Sequence, residues 1–140
     1  HEHILVDNCA MQVILRPEEF DVLLLPNMFG DIISDELSVL SGSLGMLPSA
    51  SMNREGKAMY EPSGGSAHDI AGKGIANPVG QILSAAMMLK YSFSLVKEHD
   101  AVVRAVEETL AAGKLTRDLS PENYVKTAEF GDLVTEAIRK

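Results

Sequence analysis

The stretch Asn27-Met28-Phe29-Gly30-Asp31-Ile32-Ile33-Ser34-Asp35-Glu36 decides the fold on either side of it. The apolar run that precedes it, Phe20-Asp21-Val22-Leu23-Leu24-Leu25, predicts a buried strand. Pro26-Asn27 ends this strand, and Gly30-Asp31 predicts the opening of a helix. A strand that leads through a short connection into a helix is typical of an α/β fold.

Two acids in this stretch have the spacing of paired ligands. Asp31 and Asp35 are four residues apart, so on a helix of about 3.6 residues per turn both carboxylates project from one face. Hard oxygen ligands of this kind favour Mg²⁺ or Mn²⁺ over zinc. A second interpretation stays open, in which Asp31 caps a helix N-terminus and Asp35 is a solvated acid.

The composition indicates a globular chain and argues against two classes of partner. Hydrophobic residues make up 46% of the 140, which is enough for a core of one domain's size. The net charge of -8 and the lack of any Lys/Arg run argue against nucleic acid. The longest apolar stretch, from about Ile82 to Leu89, is far short of the roughly 20 residues that a membrane span needs, so no membrane partner is expected.

The single cysteine bounds the redox setting. Cys9 alone excludes an intramolecular disulfide and a thiolate zinc cluster, so a reducing, cytoplasmic setting is predicted. Its apolar neighbours favour a buried structural thiol over a nucleophile. The chain begins inside a strand-like run, residues 1–6, without an initiator Met or a signal-peptide pattern, and we therefore expect a piece of a longer chain.

The first 41 residues predict alternating strands and helices. Residues 1–6 predict a strand, and Asp7-Asn8 predicts the cap of a helix that runs to about Arg16, before Pro17. The helix that follows Gly30 is predicted to reach Leu40. Both helices have a wider apolar arc than one sheet contact requires, so a second surface, such as another subunit, is expected to cover them.

A segment rich in Ser, Gly and Pro, residues 41–51, predicts a crossing between two domains, 1–41 and 42–140. Asn77 is the predicted cap and Pro78 the first residue of the first helix of the second domain. The elements predicted after the crossing are strands at 49–52 and 58–61 around a turn at 53–57, a glycine-rich loop at 62–77, helices at 78–91, 99–112 and 127–139, and irregular chain at 115–124.

The glycine-rich loop fails two familiar nucleotide-binding templates. Lys73 is followed by Gly74 rather than Ser or Thr, so this is no Walker A loop, and Asn77 stands where a G-x-G-x-x-G fingerprint from Gly72 needs glycine. Its glycines still let the backbone approach a ligand closely, and Asp69 is an acid of the kind that binds a ribose diol. A purely structural loop, in which glycine supplies positive φ, is an equally open interpretation.

Three stretches together resemble one known family. Residues 27–36, Gly-Ser-Leu-Gly-Met-Leu-Pro-Ser-Ala-Ser at 42–51, and Gly-Gly-Ser-Ala-His-Asp-Ile-Ala-Gly-Lys-Gly-Ile-Ala-Asn-Pro at 64–78 resemble the β-decarboxylating isocitrate and isopropylmalate dehydrogenases. The resemblance covers essentially the whole chain and implies the C-terminal part of a two-domain α/β fold. It assigns 1–41 to the metal-binding, dimer-forming domain and 42–140 to the NAD-binding domain.

The resemblance implies a metal site shared between two subunits. Asp31 and Asp35 would bind a Mg²⁺ or Mn²⁺ ion that also chelates a small 2-hydroxy acid substrate. Asp7 would be a third ligand, close to the substrate, and would come from the neighbouring subunit of a homodimer. The helices on either side of 20–25 would form a four-helix bundle in that dimer, which gives the wide apolar arcs a partner.

The resemblance also makes the glycine-rich loop the adenosine-binding loop for NAD. Asp69 would hold the adenosine ribose, and Ile70 and Asn77 would lie beside the adenine; an anion at 69 would repel the 2′-phosphate of NADP. His68 stands where the family usually has Pro. The implied cofactor-binding residues are Gly65, Ser66, Ala67, His68, Asp69, Ile70, Ala71, Gly72, Lys73, Gly74, Ile75, Ala76 and Asn77.

No catalytic residue is implied within the chain, because the family's substrate-binding arginines and its catalytic Tyr and Lys would lie before residue 1. The overall similarity favours 3-isopropylmalate over tartrate, homoisocitrate or isocitrate as the substrate, and hence leucine biosynthesis. A non-catalytic subunit or fragment is the alternative from a different class. The presence of Asp7, Asp31 and Asp35 together argues against a regulatory subunit that has lost its ligands.

Overall fold

The computed structural model describes residues 1–139, which divide into two compact units. The first unit is His1–Leu44, and the second begins at Gly45. This division falls inside the Ser, Gly and Pro-rich segment. The roles of the two predicted domains in metal and NAD binding stay predictions.

The first unit is built on two helices. Helix α1 spans Val6–Leu15, and helix α2 spans Asn27–Leu37 and continues as a 3₁₀ turn over Ser38–Ser41. A small core of Cys9, Val13 and Ile33 joins them. Cys9 is fully buried, which confirms the prediction of a buried thiol.

The strands predicted at 1–6 and 20–25 are wrong. Residues 1–5 are irregular, Val6 already belongs to α1, and 20–25 form no strand and have no hydrogen-bonded neighbouring strand. Residues 22–25 still have a period of two, since Leu23 and Leu25 pack on the core whereas Val22 and Leu24 are 85% and 97% exposed. The side chains therefore follow the pattern of a strand. A strand also requires a hydrogen-bonded partner strand, and within residues 1–139 no segment pairs with this one.

Both helices of the first unit begin earlier than predicted. Helix α1 begins at Val6 without a side-chain cap, and Asp7 lies in its first turn. Helix α2 begins at Asn27 because Pro26, with φ of -60°, leads into it and accepts the Gly30 N–H at 2.8 Å. Gly30 and Asp31 are thus inside the helix and do not open it.

The second unit begins with the predicted hairpin. Strand β1, Pro48–Met52, pairs antiparallel with strand β2, Ala58–Pro62. The side-chain oxygen of Asn53 accepts the N–H groups of Glu55 and Lys57 at 3.0 and 2.9 Å, and so closes the turn between them. The predicted strand, turn and strand are confirmed.

Three helices complete the second unit: α3 at Val79–Tyr91, α4 at Val96–Ala111 and α5 at Thr127–Ile138. They correspond to the three predicted helices, with α4 beginning three residues early, and Gly113 stops α4 with φ of 74° as expected. The core between them consists of Val79, Ala105, Val106, Phe130 and Val134, with Met46, Ile82, Leu83, Leu110, Val125 and Ala137 packed against it.

Gly80 sets how closely α3 approaches the chain before the hairpin. A Cβ at Gly80 would lie 2.8 Å from the carbonyl oxygen of Leu47 and 3.0 Å from that of Gly45. Both contacts are with backbone, which cannot rotate away, so this position requires glycine. A helix-rich α/β architecture results, as predicted, and among residues 1–139 no helix has the length and apolar character to cross a membrane.

Candidate functional site: two exposed carboxylates and a glycine-rich loop

Helix α2, in the first unit, carries one candidate site. Asp31 and Asp35 are both exposed and lie one helical turn apart on the same face of α2. Asn27 Nδ2 donates to Asp31 Oδ2 at 3.2 Å, which orients one of the two carboxylates. Because α2 begins at Asn27 and has no acid in its first turn, Asp31 is not a helix cap. The capping interpretation of Asp31 is therefore wrong.

Asp7 does not complete the pair within one chain. It is exposed in the first turn of α1, where its Oδ1 accepts the N–H of Asn8 at 2.8 Å. Among residues 1–139 no three His, Cys, Asp or Glu side chains lie close enough to hold a metal ion together. A cavity of about 570 Å³ in this unit is lined by residues that include His3, Asn8 and Arg16, but by none of the three aspartates.

The donor set on α2 fits a hard cation, although it is incomplete. Mg²⁺ and Mn²⁺ take oxygen ligands, and Mg²⁺ sites commonly combine one or two protein carboxylates with water and substrate oxygens. Two exposed carboxylates one turn apart supply that minimum. The remaining positions would have to come from solvent, a substrate or another chain.

The glycine-rich loop, in the second unit, is a separate candidate site. Its backbone makes two consecutive tight turns, in which Ile70 N–H donates to the Ala67 carbonyl and Lys73 N–H to the Ile70 carbonyl, each at 3.1 Å. Gly72 and Gly74 have φ values of 74° and 64°, which only glycine adopts without strain. Glycine is therefore required at these two positions by the backbone conformation, independently of any ligand.

Two residues at the start of the loop have local features of their own. Ala67 has φ of 39°, an unusual value for a residue with a Cβ. The next residue, His68, has its Nε2 3.2 Å from Ser66 Oγ.

The end of the loop is held by hydrogen bonds with Thr127 and Asp118, which are distant from it in sequence. Thr127, the first residue of α5, donates its N–H to the Gly74 carbonyl at 3.0 Å and its hydroxyl to the Ala76 carbonyl at 2.5 Å. Asn77 Nδ2 donates to Asp118 Oδ2 at 2.9 Å, and Asn77 Oδ1 accepts the Val79 N–H at 3.0 Å. Asn77 thus has capping chemistry, as predicted, although Pro78 rather than Asn77 directly precedes α3.

A cavity of about 520 Å³ lies against this loop, a volume within the usual range for small-molecule sites. The residues around it are Asp69, Ile70, Lys73, Ile75, Arg117, Asp118 and Pro121. The first four come from the predicted adenosine loop, whereas Asn77 is not among the lining residues. The lining of this cavity thus combines apolar side chains with acids and cations.

Sequence reasoning missed the opposite wall of this cavity. Arg117, Asp118 and Pro121 lie in the segment that was predicted to be irregular, which it is. Irregular chain has no periodicity from which the direction of a side chain can be inferred. The adjacent charges Arg117 and Asp118 are the one local feature of the sequence there, and they do not distinguish a cavity wall from a solvated turn.

Comparison with known proteins places the chain in one family. Residues 1–134 match the sequence profile described as isocitrate/isopropylmalate dehydrogenase. The 3-isopropylmalate dehydrogenase of Haemophilus influenzae strain Rd is 62% identical over 138 residues, which are 98% of this chain and 38% of that protein. That of Aquifex aeolicus is 55% identical over 141 residues, 99% of this chain and 38% of the relative.

The fold agrees with the sequence match. The crystal structure of isocitrate dehydrogenase from Methylococcus capsulatus superimposes with a TM-score of 0.92 and 39% identity, covering 96% of this chain and 40% of that one. The chain thus spans about two fifths of the length of the proteins it matches. It belongs to the isocitrate/isopropylmalate dehydrogenase family.

Proposed function

We propose that this chain contributes the metal-binding helix and the adenosine-binding loop to an NAD-dependent 3-isopropylmalate dehydrogenase of leucine biosynthesis. Such an enzyme oxidises the substrate hydroxyl and releases the β-carboxylate as CO₂. The observation that carries the proposal is the pair of exposed carboxylates, Asp31 and Asp35, one turn apart on α2 in a chain 62% identical to a 3-isopropylmalate dehydrogenase. The second candidate is isocitrate dehydrogenase, because the matching crystal structure from Methylococcus capsulatus, which is 39% identical to this chain, has that name.

In this proposal Asp31 and Asp35 hold a Mg²⁺ or Mn²⁺ ion, with Asp7 of a second copy as the third carboxylate near the substrate. When bound, the cation supplies Lewis-acid stabilisation of negative charge on a substrate oxygen. Asn27 keeps the Asp31 carboxylate oriented for this role through its hydrogen bond to Oδ2. No residue of the chain is assigned a catalytic role, and tartrate and homoisocitrate remain alternative substrates.

The loop from Gly65 to Asn77 binds NAD in this proposal. NAD supplies the hydride acceptor for the oxidation. Asp69 accepts hydrogen bonds from the adenosine ribose diol, and Ile70 offers an apolar contact for the adenine. Asn77 holds the end of the loop through Val79 and Asp118, so that the turns before it keep one conformation.

A homodimer completes the metal site. Helices α1 and α2 expose apolar side chains that the small core of the first unit does not use, and a second copy that covers them brings its own Asp7 to the site. The exposed apolar side chains of the two helices are Met11, Ile14, Leu15, Met28 and Ile32.

The buried, unpaired Cys9 suits a cytoplasmic enzyme.

Calorimetric titration of the 140-residue chain with Mn²⁺ tests the metal site. Asp31→Asn and Asp35→Asn should each lower the affinity at least about tenfold, since each removes a charged ligand. Glu36→Gln, on the same helix but off the ligand face, is the matched control and should leave the affinity unchanged. Equal Mn²⁺ binding by Asp31→Asn and the parent chain would refute the assignment.

A further inference from the structure

Three polar side chains form a row along one face of α2. Asn27, Asp31 and Asp35 follow one another at intervals of four residues, so each lies about one helical turn after the one before it. All three residues are exposed. The hydrogen bond of 3.2 Å from Asn27 Nδ2 to Asp31 Oδ2 is the only one that the Asn27 side chain makes within residues 1–139. The row thus consists of one amide and two proposed metal ligands, and the amide is bonded to the nearer ligand.

The start of α2 does not depend on this amide. A capping side chain belongs to the N-cap residue, which is Pro26, and no side-chain hydrogen bond caps this helix. The Gly30 N–H is satisfied by the Pro26 carbonyl at 2.8 Å. Asn27 is the first helical residue, and its side chain contacts a carboxylate instead of the helix backbone. The effect of Asn27 is therefore to be sought at Asp31.

The hydrogen bond leaves one oxygen of Asp31 for a cation. A carboxylate has only acceptors, so the Asn27 amide has to turn its NH₂ group toward Asp31. This bond occupies Oδ2, and no hydrogen bond reaches Oδ1 in the part of the chain that the structure describes. The ion pairs formed by residues 1–139 involve neither Asp31 nor Asp35. Because Asn27 is neutral, it orients the carboxylate without cancelling the charge that attracts a cation.

The number of oxygens that a carboxylate offers affects which cation it suits. Ca²⁺ takes about six to eight oxygen ligands at about 2.3–2.6 Å, and it readily accepts both oxygens of one carboxylate. Mg²⁺ requires a nearly ideal octahedron at about 2.0–2.1 Å, to which a carboxylate contributes one oxygen. A carboxylate that is hydrogen-bonded through Oδ2 can present Oδ1 to an octahedral ion. It can offer both oxygens to Ca²⁺ only if the bond to Asn27 breaks.

We propose that Asn27 is a positioning residue that makes Asp31 a ligand through Oδ1 alone, and that it thereby favours Mg²⁺ and Mn²⁺ over Ca²⁺. The inference rests on the proposed function of Asp31 and Asp35 as metal ligands. The proposed homodimer strengthens the effect. Met28 and Ile32, the sequence neighbours of Asn27 and Asp31, are 64% and 57% exposed, and a second copy that covers them removes water that competes for the hydrogen bond.

Displacement of Mn²⁺ tests the inference without turnover. The 140-residue chain is loaded with Mn²⁺ and titrated with Mg²⁺ or Ca²⁺, and electron paramagnetic resonance of the released Mn²⁺ gives the affinity for each ion. The parent chain should prefer Mg²⁺. Asn27→Leu, which has a similar size but no donor, should weaken Mg²⁺ binding about tenfold, as loss of a partner of a metal ligand does, and should not weaken Ca²⁺ binding. The ratio of Mg²⁺ to Ca²⁺ affinity should therefore fall about tenfold.

Two further substitutions distinguish the hydrogen bond from a general effect on the helix. Asn27→Gln keeps an amide that can pair with the acid four residues later, and it should retain most of the preference for Mg²⁺. Ser34→Ala is the matched control on α2, because the Ser34 hydroxyl donates to the main-chain carbonyl of Asp31 at 3.1 Å and not to its carboxylate. Ser34→Ala should leave the ratio unchanged. Circular dichroism of each variant establishes that the helices are intact.

The outcomes separate the inference from the proposed metal site. Suppose that Mn²⁺ binds the folded parent chain and that Asp31→Asn weakens this binding. If Asn27→Leu then keeps the ratio of the parent chain or weakens both ions equally, or if Asn27→Gln loses the preference as fully as Asn27→Leu, the inference about Asn27 is overturned and the metal site stands. If Mn²⁺ does not bind the folded parent chain, the assignment of Asp31 and Asp35 fails, and the inference fails with it.

Discussion

Asn77 and Asp118 are 41 residues apart in the chain, yet Asn77 Nδ2 donates a hydrogen bond of 2.9 Å to Asp118 Oδ2. The other polar atom of the same side chain, Asn77 Oδ1, accepts the N–H of Val79 at the start of α3. One amide thus joins three parts of the second unit: the end of the glycine-rich loop, the first turn of a core helix and the segment that carries Arg117. An amide is suited to this position because it presents a donor and an acceptor together.

Asn77→Asp separates these two duties. The aspartate keeps an oxygen that accepts the Val79 N–H. A carboxylate oxygen replaces the Nδ2 donor, however, so two carboxylates then face each other at positions 77 and 118. We expect the free energy of unfolding to fall by roughly 1–3 kcal/mol, since a hydrogen bond to a charged group is lost and two like charges are brought together. Urea unfolding at neutral pH, followed by circular dichroism, measures the change.

Asn53→Asp is the matched control. Asn53 uses its side-chain oxygen to accept the N–H groups of Glu55 and Lys57 in the hairpin turn, and an aspartate oxygen accepts them equally well. Its free energy of unfolding should change by less than about 0.5 kcal/mol. If Asn77→Asp and Asn53→Asp lower the free energy of unfolding equally, the hydrogen bond from Asn77 to Asp118 makes no particular contribution to stability.

Gly80→Ala should destabilise the chain although it replaces a helical glycine. The added Cβ would meet the Leu47 carbonyl oxygen at 2.8 Å and the Gly45 carbonyl oxygen at 3.0 Å. Forced backbone shifts of this kind cost about 1–3 kcal/mol, which outweighs the gain of roughly 1 kcal/mol from better helix propensity. Urea unfolding of the variant and its parent gives the difference.

Gly131→Ala makes the same chemical change in α5, where a Cβ would meet no atom within 4 Å. It should raise the free energy of unfolding by up to about 1 kcal/mol, because alanine loses less backbone entropy in a helix. The two alanine variants are thus expected to shift stability in opposite directions. Equal effects would mean that the contact of Gly80 with 45–47 is not tight.

Local signals account for what the sequence predicted correctly. The hairpin over 48–62 follows from turn chemistry at Asn53, and α5 follows from an apolar face that repeats at helical spacing. Each of these elements is determined by residues within about 15 positions of one another. Family resemblance supplied the family itself, which the profile match over 1–134 confirms.

Two of the features that were predicted wrongly or missed depend on contacts with distant parts of the chain. A strand at 20–25 requires a hydrogen-bonded neighbour, and a period-two pattern cannot supply one. The start of α2, by contrast, is decided locally, because Pro26 directly precedes its first residue and the helix begins three residues before the predicted Gly30. Asp118, the neighbour of Arg117 at the cavity, accepts a hydrogen bond from Asn77 across 41 residues, and no spacing rule predicts such a pairing.

Ile32→Glu should weaken self-association of the chain. Ile32 is 57% exposed on α2, next to Asp31, within the apolar face that the proposed homodimer covers. Burial of an unpaired carboxylate at such an interface is unfavourable, so the dissociation constant should rise at least about tenfold. Sedimentation velocity over a range of concentrations measures it.

Met52→Glu is the control for this variant. Met52 is also apolar and 51% exposed, but it lies on β1 in the second unit, away from α1 and α2 in sequence. It should leave the dissociation constant unchanged. A monomeric parent chain, or equal weakening by both substitutions, would contradict a dimer formed through the helices of the first unit.

The 140-residue chain alone should not oxidise 3-isopropylmalate. The residues assigned to it are the proposed ligands Asp31 and Asp35 and the adenosine loop, and no general acid or base is proposed among them. Without a positioned general acid and base, proton transfer in the transition state loses a factor of about 10² to 10⁴ for each missing group.

NADH absorbance at saturating Mn²⁺, NAD and substrate measures turnover, with the full-length Haemophilus influenzae relative as the positive control. Binding of 5′-AMP by the same preparation establishes that an inactive chain is folded, and sustained NADH formation by it would refute the expectation.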